Sequence, residues 1–417
     1  MKRNYYIVAL IMLIFFVISF ITNIIGPLIP DIIKGFKLSL TLVALLPFAF
    51  FIAYGVMSIP SGILVEKYKE KNILVAAFIV AFFGSLLLAF APNYLSAVLS
   101  LFLIGCGMAM LQVVAYPLLR TAGGEEHYAF NAVFAQLVFG LASFLSPLVY
   151  SYLVLNLDDK GKTANGFYKI LRSLVPAELP WISLYWLFTV ICVLMVTIIL
   201  FSKFPKVALS QEEKPGALKT HIMLLKKPIV ILFFIAIFCY VGTEQGIANW
   251  ISQYLSSYHG YDPQTTGAHA VAYYWGLMTA GGVVGLLLLK IMDSRKVLII
   301  FTILAIACLS LALFASAKIS LISFAMMGFF ASVMYPVIFS LALNSVKEHH
   351  GSFSGILITG IIGGAVIPLI IGWLGDLFGL KSGMLFLYVT LGYILSVGFW
   401  ARPLITNKTI KLSKNSN

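Results

Sequence analysis

The sequence predicts an all-α membrane protein: twelve transmembrane helices in two pseudo-symmetric six-helix bundles, with both termini in the cytoplasm. Three observations predict it. The 417-residue chain is 61% hydrophobic and only 10% charged, with a mean hydropathy of +1.01, more apolar side chain than a soluble fold takes out of water. Apolar runs of about 20 residues, the length that crosses a bilayer as a helix, recur along nearly the whole chain. Several features of the first half return in the same order in the second. The alternating strands of a membrane β-barrel, about ten residues each, are absent.

The twelve runs can be taken in order. The first, centred on Phe15, follows Met1-Lys2-Arg3. It is too long for a signal sequence and no small-residue cleavage site follows it, so it reads as a retained helix. The second and third, around Ala53 and Phe82, are joined by Gly62-Ile-Leu-Val-Glu-Lys-Tyr-Lys-Glu-Lys71. The fourth, around Gly105, carries Tyr116-Pro117-Leu118 and leads to Glu125-Glu-His127. The fifth and sixth centre on Gly140 and Cys192. A polar stretch with Pro205, Gln211-Glu-Glu-Lys-Pro-Gly216 and several lysines then divides six runs from six, as a linker does. The seventh and eighth centre on Tyr240 and Met278. Gly285 to Lys296 follows the eighth as 62–71 follows the second. The ninth centres on Ala305. The tenth, around Phe329, carries Tyr335-Pro336-Val337 and leads to Glu348-His-His350. The eleventh and twelfth centre on Gly364 and Gly392. The expected divisions are a bundle over 1–203, a cytoplasmic linker over 204–227, a bundle over 228–402 and a cytoplasmic tail over 403–417. Repeated halves of this kind build transporters whose site lies between them near the bilayer midplane.

Of 28 Lys and Arg, 20 fall in the termini and the loops on their side, against 8 in the alternate loops. The positive-inside rule therefore places both termini in the cytoplasm. The same asymmetry accounts for the net charge of +13. A nucleic-acid partner would need a basic soluble face, and the sequence has none. Cys106, Cys192, Cys239 and Cys308 lie within apolar runs without paired spacing, as small buried hydrophobes do.

The 62–71 loop resembles the Gly-x-Leu-x-Asp-Arg-x-Gly-Arg-Lys motif of the major facilitator superfamily, with Glu66 for the Asp and Lys69 for the second Gly. Most of the chain also resembles one of its groups, the fucose/glucose/galactose porters, which include fucose–proton symporters. Tyr240-Val-Gly-Thr-Glu-Gln, Tyr274-Trp275-Gly276, Tyr335-Pro-Val-Ile-Phe-Ser-Leu-Ala-Leu343 and Gly363-Gly-Ala-Val-Ile-Pro-Leu369 carry the likeness in the second half. Leu111-Gln112, Pro117 and Ala135-Gln136 carry it in the first. The resemblance implies the major facilitator fold, a monomer, a monosaccharide substrate and a bacterial inner (plasma) membrane. It would also assign proton coupling to two acids, one in the first helix and one in the fourth. Here Gly26 and Gln112 stand in their places.

Glu244 is the one carboxylate of fifteen that lies deep inside an apolar run. A carboxylate at the centre of a membrane helix costs about 2.5–3.5 kcal/mol on insertion scales, and such residues mark pathways and ligand sites. Around it, Gln245, Asn249 and Gln253 are spaced four apart on one helical face, Trp250 and Tyr254 supply rings, and Gly242 and Gly246 flank the acid. Amides for hydroxyls and a ring for stacking are what a sugar requires. The same groups would also serve as interhelical hydrogen bonding with small-residue packing. Asn23, Gln112, Gln136 and Trp275 are further candidates for substrate contact. Glu66, Lys67, Lys71, Asp293 and Arg295, at repeat-related helix ends, are candidates for gating. His269 would pair with Glu244 only if packing joined them. Asp31 and Asp376, near helix ends on the other side, read as ordinary solvated charges.

The expected function is alternating-access transport of a hexose-like solute. No cofactor is expected. The coupling ion is either H⁺, since a carboxyl taken out of water favours its protonated form, or Na⁺ held by the acid with other oxygens. Uncoupled facilitation and export of amphipathic compounds are the rivals, the latter needing a larger and more apolar cavity. A membrane enzyme would need a nucleophile–base or metal constellation near a surface; Glu125-Glu-His127 and Glu348-His-His350 are the nearest approach, and their repeat-related loops suit gating better.

Overall fold

Apolar runs flanked by capping residues become helices. In the computed structural model, residues 4–124, 127–158, 166–204, 218–346 and 350–404 are described. Among them twelve helices are long and apolar enough to cross a membrane. These are α1 (Tyr5–Phe36), α3 (Glu70–Phe90), α4 (Tyr94–Gly123), α6 (Pro180–Phe201), α7 (Pro228–His259), α8 (Pro263–Ile291), α9 (Ser294–Phe314), α10 (Ala317–Leu343), α11 (Ser352–Phe378) and α12 (Leu380–Trp400), with α2 (Leu40–Tyr68) and α5 (Tyr128–Asp158). Ser39, Asn93 and Asp293 open α2, α4 and α9, each accepting a first-turn amide on its side chain, the usual N-cap arrangement. Pro228 begins α7, and Gly260 ends it in the left-handed conformation, following the usual asymmetry of helix ends. The Glu125-Glu126 and Glu348-His349 pairs, linker residues 205–217 and tail residues 405–417 lie outside the described residues, as does the side chain of Glu66.

Two spans are interrupted at mid-length. α1 is interrupted by a turn at Asn23 and Ile24. Pro27 lacks the N–H that would return to the carbonyl four residues earlier. α10 breaks at Ser332 and Val333, four and three residues before Pro336. α11 tightens into a 3₁₀ turn at Gly360–Ile362.

The first six spans pack on one another, α4 against α2 and α3, α3 against α6, and α1 against α4 and α5. The last six do likewise, α10 against α8 and α9, α7 against α11 and α12, and α9 against α12. A polar seam joins α1 to α5: Ser19 Oγ lies 2.6 Å from Ser143 Oγ, Ser146 Oγ donates to Phe20 O at 2.7 Å, and Asn23 Nδ2 donates to Ser143 Oγ at 2.8 Å.

The duplication is visible in how helix ends are tied. Lys71 at the start of α3 donates to Leu200 O and Ser202 O at the end of α6, at 2.7 and 2.9 Å. Arg295 at the start of α9 donates to Ala401 O at the end of α12, at 3.4 Å. A cation thus covers the same C-terminal carbonyls in both halves, where the helix dipole favours positive charge.

The halves meet through α1 with α7, α2 with α11, and α5 with α8. The chain ends at residues 4 and 404 share one side; the α1–α7 and α2–α11 approaches lie towards the other, called the far side below, and the α5–α8 approach lies near mid-length. Glycines bring the backbones together: Gly26 faces the Ala248 carbonyl, Gly140 faces Thr279, and Gly372 faces Leu40 O and Ala44.

Candidate functional site

Glu244 sits midway along α7 and is partly accessible, whereas Thr243, Gln245 and Gly246 beside it are buried. Three neighbours hold it. Gln245 Nε2 donates to Glu244 Oε1 at 3.2 Å, and the Tyr240 hydroxyl, one turn earlier, hydrogen bonds to the carboxylate. Tyr274 of α8 donates its hydroxyl to the main-chain oxygen of Glu244 at 3.2 Å. The Tyr240 ring rests on Tyr335 of α10, with centroids 5.7 Å apart. Tyr335 in turn lies within electrostatic reach of Glu244 and of Tyr116 on α4, whose ring packs on Phe15 of α1 at 5.0 Å. The repeat-related Tyr-Pro pairs at 116–117 and 335–336 therefore bring one ring from each half within electrostatic reach of the other, with Tyr335 the one near the acid.

The polar face of α7 is split by the packing. A Cβ at Gly364 of α11 would lie 3.1 Å from Gln245 Cγ and 3.3 Å from Phe51 Cδ1 of α2, so Gln245 stands where the halves meet. Asn249 is 3% exposed and its Nδ2 has no acceptor among the described residues. Trp275 on α8 is 5% exposed, and its Nε1 is unpartnered in the same sense. A buried N–H left without a partner costs about 1–3 kcal/mol, so both are donors to which a hydroxylated ligand would bring an acceptor.

Other residues of that stretch point elsewhere. Trp250 is fully buried and donates to Pro368 O at 3.2 Å; it packs inside the second half, away from Glu244. Tyr254 donates to Leu313 O at 2.9 Å, and Gln253 to Ser257 Oγ at 2.9 Å. Asn249 to Gln253 is one full turn towards the far side, and the face changes partner over that turn.

In the first half, Asn23 is occupied by Ser143 in the α1–α5 seam. Gln112 is half-buried on α4, on the same face as Tyr116. Gln136 is exposed on α5, one turn before Gly140, the residue that meets α8. Gly26 packs on the Ala248 carbonyl, and a Cβ there would also lie 3.3 Å from Asn249 Cα. Where resembling porters carry an acid, α1 here has only room for a hydrogen.

Of the gating candidates, Lys71 and Arg295 bind helix ends within their own halves, Asp293 caps α9 and pairs with Arg295 at 3.4 Å, and Lys67 lies over the Tyr68 ring at 5.2 Å. His269 is exposed, its ring 6.5 Å from that of Tyr273.

Asp31 and Asp376, expected to be ordinary solvated charges, also accept donors from other helices; Asp376 stays exposed and Asp31 is half-buried. Asp376 at the end of α11 accepts Leu40 N and Thr41 N of α2, both at 2.8 Å, and Thr41 Oγ1 at 2.5 Å. Asp31 accepts the Tyr150 hydroxyl at 2.6 Å and Gln264 Nε2 of α8 at 3.3 and 3.2 Å. Both carboxylates join the two halves on the far side. Nothing local in the sequence marks them, because the partners are remote in sequence and the ones that join the halves come from the opposite half.

The model for the Major Facilitator Superfamily matches residues 11–360 and 233–414. The chain is 31% identical over 408 residues to a glucose/galactose transporter of Brucella abortus biovar 1 (strain 9-941), covering 95% of this chain and 94% of that one. It is 26% identical over 398 residues to the L-fucose-proton symporter of Escherichia coli (strain K12), covering 91% and 89%. Among solved structures, it is similar to an inward-facing, unoccupied bacterial homologue of the human lysosomal transporter Spinster, with TM-score 0.80, 14% identity, and coverage of 95% and 96%. With a family match that reaches both halves and a relative 31% identical along nearly all of it, the chain belongs to the major facilitator superfamily.

Proposed function

We propose that this protein is a proton-coupled sugar transporter of the bacterial inner membrane. It works as a monomer by alternating access between bundles 1–203 and 228–402, with both termini cytoplasmic. The observation that carries the proposal is Glu244: a partly accessible carboxylate at mid-depth, at the boundary of the halves, ringed by Tyr240, Gln245 and Tyr274. The names of the relatives, a glucose/galactose transporter and an L-fucose-proton symporter, support the substrate class.

Sugar hydroxyls both donate and accept. Asn249 Nδ2 and Trp275 Nε1 present unpartnered donors that a sugar hydroxyl would satisfy. With the far side fastened, sugar and proton would leave towards the cytoplasm in this conformation. The groups around Glu244 favour H⁺ over Na⁺. Tyr240 and Gln245 bring donors to its oxygens, and no cluster of three His, Cys, Asp or Glu occurs among the described residues. A Na⁺ site would instead need several oxygens turned inward.

The test is uptake of glucose, galactose and L-fucose into proteoliposomes under an imposed pH gradient or an imposed Na⁺ gradient. Accumulation driven by the pH gradient is expected for at least one sugar. Glu244→Gln should abolish that accumulation while leaving equilibrative exchange. Intact gradient-driven uptake in Glu244→Gln would end the coupling role, and uptake of none of the three sugars would end the sugar reading.

A further inference from the structure

Asp376 occupies a position that its own helix disfavours. It lies in the last turn of α11, where the helix dipole presents partial negative charge and a carboxylate is unfavourable. The compensation comes from the other bundle. α2 begins at Leu40, and its first amides point out of the helix end without intrahelical acceptors. Ser39 Oγ accepts the third of them, Leu42 N, at 3.3 Å. The first two, Leu40 N and Thr41 N, go one to each oxygen of Asp376, and Thr41 Oγ1 adds a third donor. The bidentate carboxylate thus sits on the positive end of α2. One turn earlier on the same face, Gly372 lets α11 lie against Leu40 O and Ala44.

The opposite edge of the boundary is fastened in a similar way. Asp31 of α1 is held within its bundle by Tyr150 and reaches across to Gln264 in the first turn of α8. One carboxylate on each edge therefore spans the halves on the far side. Asp376 is exposed, so water can replace its partners when the bundles part, and Ser39 leaves α2 still capped. A bond of this kind holds one state without preventing the other.

We infer that Asp376, seconded by Asp31, is a positioning residue of the transport cycle: a reversible latch that sets the share of molecules closed on the far side. This rests on the alternating-access reading, but it is tested without substrate, so that either can fail alone. Spin labels are placed on exposed far-side positions of the two halves, Ala177→Cys and Lys318→Cys, in a chain whose four native cysteines are replaced by alanine, and their distance distribution is read by pulsed electron resonance in nanodiscs. Asp376→Asn, which keeps the volume but loses the charge and the second acceptor, should move the population ratio on the order of tenfold towards the longer distance. Asp376→Glu should restore most of the short distance. Asn93→Ala removes a helix cap on the same side whose contacts, to Ser96 N and Ala91 O, stay within its own half; it should lower the melting temperature without lengthening the distance. Should Asp376→Asn not fold, Gln264→Ala at the other edge carries the same expectation. An unchanged distribution in the folded variant, or an equal shift in Asn93→Ala, would overturn the latch.

Discussion

A carboxylate in an apolar run is legible because it breaks a pattern within its own neighbourhood, which is why Glu244 stands out in the bare sequence. Asp376 and Asp31 break no local pattern. Their partners are Thr41, 335 residues away, and Gln264, 233 residues away, and an acid near a helix end looks the same whether water or another bundle receives it. Gly26 was legible as a departure from the resembling porters, but its reason is spatial: α7 occupies the volume a side chain would need. Lys69 shows the reverse case. The resemblance marks it as a lysine where glycine is usual, and the structure gives it φ +68° and ψ 158°, a region that is essentially restricted to glycine and costs other residues about 1–3 kcal/mol. Lys69→Gly is therefore expected to raise the thermal unfolding temperature in detergent, by a stabilisation of about 1 kcal/mol after allowing for the greater freedom of glycine in the unfolded chain. A fall in that temperature would mean that the lysine side chain itself stabilises the turn.

At the level of helices, hydrophobic length alone predicted the twelve spans, because a bilayer fixes how many apolar residues a helix needs. The interruptions at Asn23–Ile24 and Ser332–Val333 were less visible, although Pro27 and Pro336 were in plain sight. Proline within a membrane helix is often absorbed by a kink, and the sequence does not say which prolines open the ladder. The basic residues of the 2–3 and 8–9 turns were expected to act between bundles. In this conformation they close helix C-termini inside each half. That assignment makes a graded prediction. Lys71 covers two carbonyls at 2.7 and 2.9 Å, while Arg295 reaches one at 3.4 Å. Lys71→Ala should lower stability by about 1–2 kcal/mol and Arg295→Ala by less than about 1 kcal/mol, measured as shifts in detergent unfolding. Because neither contact crosses between the halves, both variants should keep the far-side label distance of the parent chain. A lengthened distance in Lys71→Ala would return that residue to a gating role.

For the whole molecule, the division into two similar halves was legible from the order of motifs, but the state of the boundary between them was not. Under the proposed alternating access the same twelve helices would close on either side in turn, and composition is blind to the choice. What closes the far side here includes two close approaches, Gly26 on Ala248 and Gly372 on Ala44, with Gly140 on Thr279 near mid-length. Buried small-residue contacts of this sort are rigid, so under the proposed alternating access the halves would separate as bodies and not deform gradually. Tying one contact should then stop the whole cycle. A Cβ at Gly372 would lie 3.0 Å from Ala44 Cβ, within a small backbone adjustment of the roughly 3.8 Å that a disulfide requires. Ala44→Cys with Gly372→Cys should cross-link under mild oxidation and block sugar uptake into proteoliposomes, with uptake recovering on reduction. With the partly exposed Cys308 replaced by alanine in every variant, each single variant should respond to neither oxidant nor reductant, since Cys106, Cys192 and Cys239 are buried. Uptake that persists in the fully cross-linked protein would mean that sugar crosses without separation of α2 from α11, and the rigid-body account of the boundary would have to be abandoned.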